Sequence, residues 1–75
     1  MESYKNLGGD SNVAGYEIGD RYILVMFRTG AVYEYTYESA GVANIEQMKM
    51  LAVHGQGLNS FIQRVVRKSY SRRIR

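Results

Sequence analysis

Seventy-five residues with no cysteine, no proline and one histidine make a single domain, without a disulfide staple, a thiol nucleophile or a thiolate zinc site. The net charge of +3 conceals a polarity: residues 1–46 hold three cations and seven acids, whereas residues 47–75 hold seven cations and no acid. That basic second half fits either a polyanion contact or a solvated helix face, and the longest apolar run, Ile23–Phe27, is far short of the roughly 20 residues that span a bilayer.

The opening "MESYKNLGGDSN" is polar, contains a Gly8-Gly9 pair and has no apolar segment. Residues 1–10 are therefore expected to form a flexible leader rather than a signal peptide, and the chain to be soluble and cytoplasmic. "SNVAGYEIGD" predicts a short strand packed through Val13, Tyr16 and Ile18, with a turn at Gly19-Asp20. In "RYILVMFRT" both alternating sets are apolar, Ile23, Val25 and Phe27 against Tyr22, Leu24 and Met26, which suits a central strand. Arg21 and Arg28 flank this aggregation-prone window as gatekeepers. Gly30 supplies a hairpin turn, and "AVYEYTY" returns as the partner strand.

Tyr33, Tyr35 and Tyr37 stand at every second position, so a strand places them on one face. The opposite face carries Val32, Glu34 and Thr36, which make a poor core wall. The tyrosines are therefore expected inside, rather than forming a surface on which a partner stacks.

After Ser39, a candidate N-cap, the period becomes helical: Val42, Ile45, Met48, Leu51 and Ala52 recur up to a stop at Gly55. A second stripe, Leu58, Phe61, Ile62 and Val65, is extended by Val66 and Tyr70, with Asn59 as a candidate cap. Arg64, Arg67 and Lys68 fall on or beside the other side. Strands followed by helices predict an α+β fold. Residues 11–70 would form a three-stranded antiparallel β-meander with two α-helices packed on one sheet face, and residues 71–75 a basic tail.

Catalysis is not expected. His54 has no adjacent partner that points to a triad, and the acids are scattered singly, so no catalytic residue, metal ligand or cofactor site is assigned. "GQGLN" sets glycines before a helix, a weak anion signal that a plain chain reversal explains as well. The basic end says more. Arg64, Arg67, Lys68, Arg72 and Arg73 can engage phosphates, and Tyr70 among them can stack on an unpaired base, which suits single-stranded nucleic acid without sequence specificity.

The segments "SNVAGY", "YILVMFRTGAVYEYTY", "MLAVHGQGLNSFI" and "SYSRRI" resemble, over residues 11–74, the KTSC domain family, a short module at the C-terminus of some lysyl-tRNA synthetases and in stand-alone bacterial and phage proteins. Gly30 with Tyr33 and Tyr35 matches the family's Tyr-x-Tyr pair after a glycine turn, and Gly55, Gly57, Asn59 and Phe61 approximate its second mark. The family's valine-proline pair before the first helix is missing here, and Leu58 stands where an aromatic pair is usual. The resemblance implies an α+β fold and a role in RNA binding, with no catalytic residues.

The leading expectation is thus a non-catalytic RNA- or nucleic-acid-binding module without a membrane segment. The competing expectation is a small protein-interaction factor, such as a mobile-element protein that inhibits a host nucleic-acid enzyme through its acidic first half. A third is a homodimer formed through the sheet face the helices leave open.

Overall fold

The alternation in "YILVMF" does build the middle of a sheet. The structure, a computed structural model, describes residues 1–75. Strand β1 is Glu2–Ser3, β2 Val13–Ile18, β3 Tyr22–Phe27, β4 Val32–Thr36 and β5 Arg72–Arg73. Between β4 and β5 come helices α1 (Tyr37–Ala40), α2 (Val42–His54) and α3 (Leu58–Phe61), the last running into a π-helical turn, Ile62–Val66. All strand pairings are antiparallel, in the order β1-β2-β3-β4-β5.

The fold is therefore α+β, but with five strands rather than the three of the expected meander. The leader and the tail supply the two additional ones. Glu2 and Ser3 pair with Tyr16 and Gly15, and Arg73 and Arg72 with Tyr33 and Glu34. The leader is tied down further by Tyr4 N–H donating to the Ala14 carbonyl (3.0 Å) and Leu7 N–H to the Gly55 carbonyl (2.7 Å). These pairings rest on backbone hydrogen bonds, and a two-residue polar strand has no side-chain alternation by which a sequence could announce it.

One sheet face carries Val13, Ile23, Val25 and Tyr35, which meet Ile45, Met48 and Ala52 of α2 and Leu58, Ile62 and Val66 of the last helical segment in one core. Each fully buried Ile, Leu or Met contributes about 1.5–3 kcal/mol of transfer free energy. A β-bulge between Val13 and Gly15 lets Val13 and Tyr16, three residues apart, both face the helices. Tyr4 from the leader is also part of the core, and its hydroxyl accepts the buried Leu58 N–H at 3.2 Å, capping the start of α3.

Three local expectations change. The N-cap of the first helical turn is Thr36, with Ser39 as the reciprocal member of a capping box; Gly41 (φ 94°) then breaks the chain before α2. Tyr37 is consequently the first residue of α1 and leaves the tyrosine row: its hydroxyl donates to Glu46 at 2.5 Å, which lowers the Glu46 carboxyl and raises the phenol. Third, the last helix does not run regularly to Tyr70. Its π turn keeps positions four apart on one side, so Leu58, Ile62 and Val66 are buried while Val65, expected in the stripe, is 47% exposed. The stop at Gly55 falls where expected, in the left-handed conformation (φ 86°); a Cβ there would lie 2.6 Å from the Lys5 side chain of the docked leader.

Candidate nucleic-acid interface

Four pieces of chain converge at one end of the helix-covered sheet face. The β3–β4 hairpin closes through Phe27 N–H to the Ala31 carbonyl and Gly30 N–H to the Phe27 carbonyl, both 2.9 Å, with Gly30 at φ 93° as a tight three-residue loop requires. This turn presents Phe27 on its inner side and Arg28 at its rim. Strand β4 contributes Tyr33 and Tyr35. The π turn ends at Arg67, whose N–H donates to the Ile62 carbonyl five residues back and whose backbone (φ 41°, ψ −105°) is one that non-glycine residues rarely adopt. A conformation of this kind costs on the order of 1–3 kcal/mol and persists only where its surroundings enforce it. It turns the chain sharply out of the helix and toward β5, so that Tyr70 swings back over β4.

The result is a cleft of about 460 Å³, whose lining includes Phe27, Tyr33, Tyr35 and Tyr70 together with Arg28, Arg67 and Lys68. No acid lines it. The aromatic rings form a connected set. Phe27 meets Tyr33 edge-on with centroids 5.9 Å apart, Tyr70 lies 4.6 Å from Tyr33 at 58°, and Tyr35 meets Tyr70 edge-on at 6.2 Å. Tyr35 is 2% exposed, and burial, followed by the neighbouring Tyr33 and Tyr70, pushes its hydroxyl up to about 12, so it remains a neutral donor at any physiological pH. The chain's two ion pairs, Lys49–Glu46 and Arg72–Glu34, leave Arg28, Arg67 and Lys68 unpaired.

The residues expected to contact phosphate divide. Arg67, Lys68 and Tyr70 come together in the cleft. Arg64 is exposed on the π turn, outside it. Arg73 stands 5.7 Å over the Tyr33 ring. Arg72 projects to the opposite sheet face, where its Nε lies 3.1 Å from Glu34 Oε1. The Ser71 hydroxyl donates to that same oxygen at 2.6 Å, and this bond, with Arg72 behind it, holds the Glu34 carboxyl below the usual range. Of the family-pattern residues, Tyr35 is core and Tyr33 half core, half cleft wall; Phe61 packs against the core, and Asn59 has a buried Oδ1 without a partner. The sequence pattern marks Phe27 only as a strand residue and Arg28 only as a gatekeeper. Their place in the cleft depends on an approach between the hairpin and the end of the π turn, nearly 40 residues later, that no local pattern encodes.

His54 is exposed at the end of α2, and no three His, Asp or Glu side chains are gathered as metal ligands would be. No helix is long and apolar enough to cross a membrane. No family model, curated protein or solved structure matches the chain.

Proposed function

We propose that this chain is a non-catalytic module that binds single-stranded nucleic acid, RNA in the first instance, at the cleft between the β3–β4 hairpin and the end of the π turn. One observation carries the reading: aromatic rings floor a concave site whose only charged lining residues are three cations without acidic partners. Cations draw the phosphate chain in, and aromatic rings accept bases exposed by the absence of a second strand. The resemblance to the KTSC pattern supports the same reading. A membrane partner and a catalytic role have no counterpart in it.

The competing reading, a protein-interaction factor, draws on Ile18, Met50 and Val53, apolar side chains exposed away from the cleft. It gains nothing from the paired aromatics and free cations. Titration of a labelled single-stranded RNA against salt tests the proposal. With Arg28, Arg67 and Lys68 each neutralising a phosphate, log affinity should fall against log salt with a slope near about −2. Absence of binding at low salt overturns it.

A further inference from the structure

The cleft has properties beyond a basic surface with a tyrosine in it. Its volume of about 460 Å³ falls in the roughly 300–1,000 Å³ range of small-molecule sites. Apolar and cationic groups are segregated within it. Phe27, Tyr33 and Tyr70 form the walls, while Arg67 and Lys68 stand on one rim and Arg28 on the other. Tyr35 also lines it, nearly all buried, and its hydroxyl takes no side-chain partner within the protein. A phenol without a protein acceptor, whose hydroxyl is still reached from the cleft, is available to a guest. The rare backbone at Arg67 holds the cationic rim beside the ring wall rather than letting the helix carry it away.

Resting on the nucleic-acid reading, we propose that the cleft seats one unpaired nucleotide of the strand: its base inserts against Tyr33 and Tyr70 and accepts a hydrogen bond from the Tyr35 hydroxyl, while Arg67, Lys68 and Arg28 hold the phosphates that flank it. The site thereby selects single strands over duplexes. A paired base presents its edge rather than its face and cannot enter, whereas an unpaired one exposes both. Because every base has a face and at least one acceptor, the preference among bases is modest and is set by the Tyr35 contact.

The test uses the intact chain and anisotropy of labelled decamers. An oligouridylate, a base-free ribose-phosphate chain of the same length and an RNA duplex are compared at one salt concentration. The uridylate should bind about 5- to 100-fold more tightly than the base-free chain, as loss of base stacking implies, and more tightly than the duplex. Free nucleoside 5′-monophosphates should displace the uridylate, and ribose 5-phosphate should not. Tyr35→Phe, which keeps the ring and the core, should bring the affinities for the four homopolymers closer together. Equal binding of the uridylate and the base-free chain, or equal competition by ribose 5-phosphate, would refute the nucleotide pocket and leave a plain phosphate surface. If none of the three decamers binds, the nucleic-acid reading fails, and the pocket with it. The oligonucleotide comparison needs no variant, so a substitution that unfolds the chain cannot obscure the answer.

Discussion

The ring of Tyr70 lies against that of Tyr33, centroids 4.6 Å apart and planes tilted by 58°. This contact joins the segment after the π turn to the sheet wall at β4, and it draws the following residues along the free edge of that strand. Replacing Tyr70 with alanine removes this contact and the edge-on one with Tyr35, and should cost about 2–4 kcal/mol when burial loss is added to the aromatic pairing. Tyr70→Phe keeps both contacts and should unfold within about 0.5 kcal/mol of the parent. Urea denaturation followed by circular dichroism measures the difference; an alanine variant as stable as the parent would show that the tail is not docked.

The leader carries a core residue. Tyr4→Phe leaves the ring in place but removes the acceptor of the buried Leu58 N–H, and an unpaired buried donor costs about 1–3 kcal/mol. Deleting residues 1–7 empties the ring's site as well and should be worse. In the intact chain, slow hydrogen exchange at Tyr4 and Leu7 checks the docking directly, because both amides donate to carbonyls of the body of the fold.

Acid should loosen the β4–β5 edge. Glu34 is held below its ordinary 4.5 by the Ser71 hydroxyl and then by Arg72. As pH falls below that value the unfolded chain takes up the proton first, so stability drops until the folded carboxyl is also protonated. Above the ordinary value the contribution is complete. In Glu34→Gln this part of the pH dependence disappears. Urea midpoints compared between neutral pH and the acid range show it as a flatter acid limb than in the parent.

At the other end of the scale Tyr35 sets the alkaline limit. Its hydroxyl titrates at about 12 in the folded protein, against about 10 for a solvated phenol. A raised value means that the unfolded chain ionises first. Stability is therefore whole below pH 10 or so and declines as pH rises through 12. Tyr35→Phe should remove a late step from the ultraviolet titration of tyrosinate and blunt the alkaline decline; an unchanged late step would assign it to another tyrosine.

The sequence showed its middle better than its ends. The doubly apolar alternation of Tyr22–Phe27, the glycine turn at Gly30 and the stop at Gly55 are strong local signals, and each marks a real boundary or strand. The edge strands had none to offer, since Glu2–Ser3 and Arg72–Arg73 are held by main-chain pairing to residues distant in sequence. The π turn defeats a reading based on 3.6 residues per turn, which is why Val65 leaves the stripe while Val66, expected at its edge, lies in the core. Of the site, Arg67, Lys68 and Tyr70 were visible as basic residues around an aromatic one. That Arg72 is occupied by Glu34 while Arg28 is free is a matter of strand register and hairpin position, and composition is blind to both.

The pairing of β4 with β5 also fixes an order of events. The β2–β3 and β3–β4 hairpins close over short turns, but Arg72 reaches Glu34 across 38 positions of chain, with every helix in between. Long loops close late, because their entropy must be met before the contact repays it. The aromatic cleft therefore assembles after the hairpins and, with so short a strand holding it, comes apart before them. Amides of Ser71 and Ile74, which donate to Glu34 and Val32, should exchange well before those of β3, and a ligand in the cleft should slow them selectively.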